Sequence, residues 1–258
     1  MRAKFNFGVL LILVFLSTSF WSFSQVNLPE MVLVEGGKFQ MGSENGEDDE
    51  KPLLERTVNS FYISKYEITV GQYKAFCNAT GWLMPETEPV WGWREDYPMV
   101  FISWKDAGAY ALWLSRETGK NYRLPSEAEW EFAARGGIKS QNYSYSGSNN
   151  VDDVAWYYET TYGSGPQPVG LRKPNELGIF DMSGNVWEWC KDGYQSKYTL
   201  TVIEPSASVG MMGENYRVLR GGGWDSGAPH IRIANRNRNV PASLTDNTGF
   251  RVVYSVEK

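Results

Sequence analysis

The stretch Tyr122-Arg-Leu-Pro-Ser-Glu-Ala-Glu-Trp-Glu-Phe-Ala-Ala-Arg135 sets the architecture of the chain. Ser126 followed three residues later by Glu129 is a capping box: each side chain can take the backbone N–H of the other, so a helix starts there. Trp130, Ala133 and Ala134 then fall on one face, and Gly136-Gly137 stops the helix. Thr69 with Gln72 and Ser103 with Asp106 repeat the start signal upstream. In the segment after Ser103, residues Ala107, Tyr110, Ala111 and Leu114 give a single apolar stripe. The buried faces of these helices are expected to be scaffold.

Around the helices the pattern is of short strands. Met31-Val-Leu-Val-Glu-Gly-Gly-Lys-Phe-Gln-Met-Gly-Ser43 holds two apolar runs split by a glycine pair and reads as a hairpin. A β-type run spans 56–69, and further strands are expected at 217–220 and 249–256. Between them, 137–175 is rich in Tyr, Ser, Asn and Gly with no sustained period, a loop region. No segment repeats at a fixed period, and the single Trp224-Asp225 pair gives no propeller. The whole reads as one α+β domain, loop-rich, with long connections.

Composition narrows the function. The 25 Lys and Arg against 30 Asp and Glu give a net charge of −5 without a basic cluster, which argues against nucleic acid. Aromatic rings (11 Trp, 15 Tyr, 12 Phe) and 26 Gly predict a fold packed by large rings along tight backbone paths. Arg2 and Lys4, the apolar run Phe5 to Leu16 and the small residues to Gln25 have the order of a signal peptide. That run is shorter than the ~20 residues of a membrane span. Residues 1–25 are therefore read as a signal for export to the periplasm or the outside, and 26–258 as the domain. The acidic stretch Glu44 to Glu50 reads as a solvated loop. Cys77 and Cys190 are either a disulfide, worth roughly 4 to 5 kcal/mol for a loop of that length, or two buried thiols. Asn78-Ala-Thr80 and Asn142-Tyr-Ser144 fit the N-glycosylation pattern.

An ordered series of segments carries a family resemblance: Gly36 to Ser43, Tyr66-Glu-Ile-Thr-Val-Gly-Gln-Tyr73, Pro98 to Ala107, and the opening Tyr122 to Arg135. It continues through Asp181-Met-Ser-Gly-Asn-Val-Trp-Glu-Trp189, Arg217-Val-Leu-Arg-Gly-Gly-Gly-Trp224 and Thr248-Gly-Phe-Arg251. The chain resembles the formylglycine-generating, or sulfatase-modifying factor, family, which implies a fold related to the C-type lectin fold. Enzymes of that family bind copper through two Cys and oxidise a substrate Cys to formylglycine. The matching stretch here is Gly221-Gly-Gly-Trp-Asp-Ser-Gly-Ala-Pro-His-Ile-Arg232. It has neither Cys; Gly223 stands at the family's Ser and Ser226 at its first Cys. Copper(I) selects thiolates, so copper is not expected.

The resemblance implies a substrate groove near Trp189, Trp224, Asp225, Ser226, Arg236 and Asn247. It also implies a calcium site at Ser183, Gly184, Val186 and Glu188. The reading of the residues themselves keeps alternatives: a packed Trp, a paired Arg, an Asn capping a turn, a Glu bonded to backbone. His230 near Asp225 and Ser226 makes no triad by proximity alone. Arg232, Arg236 and Arg238, interleaved with Asn235, Asn237 and Asn239, read equally as an anion site or as internal ion pairs. The expectation is an exported module binding a peptide, protein or glycan. Its rival is a periplasmic or secreted oxidoreductase-like enzyme of altered chemistry that modifies a peptide or protein, resting on Asp225, Glu188 or a Tyr. Formylglycine generation itself would need Cys77 or Cys190 in the groove.

Overall fold

The computed structural model describes residues 27–198 and 216–256. The expected signal segment lies outside the described residues. In chain order these form β1 (Met31–Val34), β2 (Gly37–Met41), β3 (Leu54–Val58), β4 (Phe61–Ser64), α1 (Val70–Thr80), α2 (Trp104–Thr118), β5 (Tyr122–Arg123) and α3 (Glu127–Ala134). Then follow α4 (Val151–Val154), α5 (Tyr158–Thr161), β6 (Trp187–Gly193), β7 (Arg217–Arg220), β8 (Arg236–Asn239), β9 (Thr248–Gly249) and β10 (Val253–Ser255). The architecture is mixed, with short helices packed on small sheets, and the three predicted capping boxes are all present.

The apolar runs at 31–34 and 37–41 do not pair with each other. β1 pairs with β4 and β2 with β3, in one antiparallel register that runs on from Val34 opposite Phe61 to Gly37 opposite Val58. A tight hairpin needs positive φ in its turn, and neither Gly36 nor Gly37 has it. The pair instead marks a corner where a two-stranded ribbon passes from one sheet to the next. A Cβ on Gly36 would stand 2.5 Å from the Val58 carbonyl, so only glycine fits there. The expected run at 56–69 is likewise cut into β3 and β4 by this corner.

One sheet has the order β1-β4-β10-β5, and a second β8-β7-β6-β9, with β9 parallel to β6. Helices α1 and α2 bury Tyr73, Phe76, Tyr110 and Trp113 against Phe250 in edge-on and tilted ring contacts, Tyr110 to Phe250 at 5.3 Å. The stripe Ala107, Tyr110, Ala111 and Leu114 is buried as its spacing predicts. On α3, Trp130, Ala133 and Ala134 are buried too, but so are Glu127 and Glu131. Those carboxylates meet buried guanidinium groups: Arg236 bonds Glu127 at 2.6 Å, and Arg220 pairs with Glu131. Burial on this scale is tolerated because the charges are paired and hydrogen-bonded. Cys77 and Cys190 are free and buried, and burial pushes both thiols above the ordinary range.

Candidate functional site

The loop after β7 is shaped by its glycines. Gly221 and Gly222 adopt φ of 94° and 81°, and a Cβ on Gly222 would meet Ile231 at 2.3 Å. This tight path sets the buried Trp224 and the exposed Asp225 beside residues 246–247, just before β9. The Trp224 backbone N–H donates to the Asn185 carbonyl (2.7 Å), its indole N–H to the Asp246 carbonyl (3.2 Å), and the Thr161 hydroxyl donates to the Trp224 carbonyl (2.8 Å). Its ring stands edge-on to Trp91 at 5.6 Å. Trp93 and Phe101 pack in the same small cluster with Val100 and Val186.

Beside the rings, Asn247 donates its amide to the Asp225 carboxylate at 2.9 Å. Asp225 is exposed, and the neighbouring Asp246 carboxyl is pushed up by partial burial and by the charge of Asp225. The Ser226 hydroxyl accepts from the Gly223 N–H (3.1 Å) while the Ser226 N–H donates back to the Gly223 carbonyl (3.0 Å). Ser226 thus closes its own turn. Exposed apolar side chains occur on the chain segments that meet here: Val90 precedes Trp91 in sequence, Leu244 lies three residues before Asn247, and Tyr158 donates its backbone N–H to the Ser226 carbonyl at 3.0 Å. Trp224, Asp225, Ser226 and Asn247 are therefore brought together.

Trp189 and Arg236 are not part of that surface. Trp189 is fully buried with its indole N–H on the Ile102 carbonyl at 3.1 Å, so it is core. Arg236 is held by Glu127 and by the carbonyls of Asp49 and Gln195. Of the arginine run, Arg232 clamps Glu50 through both terminal nitrogens at 3.0 and 2.6 Å, and Arg238 lies over the rings of Tyr194 and Tyr216. The internal pairing considered for Arg232 and Arg236 is realised. That same clamp corrects the reading of 44–50 as solvated: Glu50 is fully buried. Burial alone would raise its carboxyl, but Arg232 holds it below the usual range. His230 faces Glu47 at 3.8 Å.

The calcium set does not fit through Glu188. That carboxylate is fully buried; its Oε2 accepts from the Trp130 indole and Arg251 Nε, and its Oε1 from Arg251, each at 2.7 Å. A cation on this carboxylate would have to displace the Arg251 guanidinium or lie against its charge. Among the described residues no three His, Cys, Asp or Glu are grouped to hold a metal. Ser183 spends its hydroxyl accepting from the Ser146 N–H, and Gly184 and Asn185 turn with φ of 84° and 65°. Sequence reading missed Glu67, which holds that turn by accepting from the Asn185 amide (2.5 Å) and the Val186 N–H (3.0 Å). Its carboxyl is pushed well up by burial and by repulsion from Asp181 and Glu188. Trp91 and Phe101 were also missed; Phe101 sits at φ 56°, a conformation with no sequence signal for an aromatic residue.

With this geometry in view, the comparisons are consistent. Residues 18–256 match the sulfatase-modifying factor enzyme 1-like domain model. The chain is 32% identical to the inactive C-alpha-formylglycine-generating enzyme 2 of Mus musculus over 88% of its own length and 86% of that protein. It is 33% identical to serine/threonine-protein kinase Pkn1 of Chlamydia trachomatis, but spans only 39% of that relative. Among solved structures it is similar to PvdO from Pseudomonas aeruginosa, with a TM-score of 0.76, 32% identity, and coverage of 88% and 95%. The chain belongs to the sulfatase-modifying factor enzyme 1-like, formylglycine-generating-enzyme-like, domain family.

Proposed function

We propose that the chain is an exported, non-oxidising member of this family that binds a peptide, protein or glycan on the surface around Trp224. The observation that carries the reading is the composition of that surface. Trp91 and Trp93, half-buried over the buried Trp224 ring, offer aromatic area, Asp225 and Asn247 offer an acceptor and a donor, and neither cysteine is there. Rings with a few fixed polar groups are what ligand surfaces use. Oxidation of a thiol by copper needs soft donors, and Ser226 supplies a hydroxyl already engaged in its own turn. A scaffold kinship with the C-type lectin fold, as the resemblance implies, belongs to the same proposal. The catalytic rival loses one of its three supports, since Glu188 is locked by Arg251.

The test is direct binding of a peptide and glycan array by the purified protein, alongside Asn247→Ala and Asp225→Ala. Ligands retained by the parent and lost by both variants, at unchanged melting temperature, support the reading. Ligands bound equally by all three proteins place binding elsewhere.

A further inference from the structure

A cavity of about 360 Å³, whose lining shares no residue with the Trp224 cluster, lies between residues 56–60 at the end of β3, the start of α3 and the end of β6. Nearly every charged group on its walls is already spent. Arg123 holds Glu129 through two nitrogens at 2.7 Å, and Arg236 holds Glu127. The exceptions are Lys197, which is exposed to water, and Asp192. Its Oδ2 accepts from the Glu127 N–H at 2.7 Å, which fixes the carboxylate at the helix start, and its Oδ1 has no hydrogen-bond partner among the described residues. Asp192 is half-buried on the cavity wall, so a carboxylate held at one oxygen has its second oxygen able to take a donor from a ligand.

We propose that this cavity is a second binding site, for a small molecule carrying an ammonium group, which Asp192 receives on its unpaired oxygen. The remaining wall suits the rest of such a ligand: Met41, Val58 and Ala128 give apolar contact, and Ser60 and Asn59 line the opening. Ammonium is favoured over an anion because the acidic acceptor is the group with unspent capacity, while Lys197 is exposed to water at the rim.

The electrostatics make the binding proton-linked. Burial, then the charge of Glu127, raises the Asp192 carboxyl to about 6. Around it stand Glu127 and Glu129 of α3, both held below the usual range although burial opposes this, with Lys191, Arg217, Arg56, Arg123, Arg236 and Lys197. Glu127 and Glu129 are held below the usual range, so the change of state on this cavity wall between pH 5 and 7 is that of Asp192. A cation bound to the ionised form displaces the proton, one released per ligand bound to protonated protein.

The probe is n-butylamine, titrated into the purified protein and followed by the backbone amide resonance of Glu127, with n-butanol and butyrate as arms of equal length. Butylamine should bind at least tenfold more tightly than either at pH 7, and its affinity should rise about tenfold from pH 5 to pH 7. Asp192→Asn, which keeps an oxygen for the Glu127 N–H, should lower butylamine affinity about tenfold and leave butanol unchanged. Tighter binding of butyrate, equal binding of butanol, or an Asp192→Asn variant with parental affinity would overturn the proposal. Should that variant fail to fold, a parental affinity flat with pH overturns it as well.

Discussion

Asn247 holds the Asp225 carboxylate at 2.9 Å beside the glycine turn after β7, the loop that the family resemblance matches to the copper-binding cysteines. One side chain comes from the glycine turn after β7 and the other from the residue before β9, so the pair ties two loops that the sheet brings together. Both residues are at least partly exposed, so the bond is cheap for the fold. Asp225→Ala and Asn247→Ala should each change stability by about 1 kcal/mol or less. Each should still abolish binding at the Trp224 surface. Urea unfolding beside an affinity measurement separates the two effects; a large loss of stability would make the pair structural.

The opposite balance holds for Arg251 and Glu188. Both are fully buried, and removing the guanidinium strands a carboxylate in the core. Arg251→Met should destabilise by about 3–5 kcal/mol, and adding Glu188→Gln should recover part of it. Chemical denaturation of the single and double variants measures the recovery. A single variant within ~1 kcal/mol of the parent would refute the assignment of this pair as the central clamp.

Stability should peak in weakly acidic solution. The Asp181 carboxyl, pushed up to about 6 mainly by burial, binds protons more tightly folded than unfolded, as does Glu67. Folded protein therefore loses stability as pH rises from the unfolded value near 4 through 6, on the order of 3 kcal/mol for Asp181. Glu50, Glu127 and Glu129 act with the other sign, their stabilisation disappearing as pH falls below the ordinary carboxylate range. Asp181→Asn should flatten the limb above pH 5 in melting curves across pH. An unchanged limb would assign that dependence to other groups.

Calcium provides a sharper check on the Glu188 site. Because Arg251 and the Trp130 indole take both oxygens, melting midpoints with calcium and with a chelator should coincide. A midpoint several degrees higher in calcium would show that the turn at Ser183 to Val186 binds the ion despite that clamp.

What was legible in the sequence follows from the range of the interactions. Capping boxes are local, so Thr69, Ser103 and Ser126 announced their helices correctly. The glycine pair at 36–37 misled because the same residues serve a turn and a sheet corner, and only the distant Val58 and Ser60 decide between them. Asp225, Ser226, Trp224 and Asn247 could be placed together because motif order carries that information. Trp189 and Arg236 could not be separated from them, since a buried and a groove-lining side chain look alike until Ile102 and Glu127 are in position. Nor does local pattern show that Glu50 would reach Arg232 across the chain.

The most direct test of a non-oxidising surface is a titration of the purified protein with copper(I), followed by oxygen consumption in the presence of a cysteine-containing sulfatase peptide. The account predicts no stoichiometric copper uptake and no conversion of the peptide, with Cys77 and Cys190 remaining buried thiols. One equivalent of copper bound, with formylglycine formed in the peptide, would contradict it.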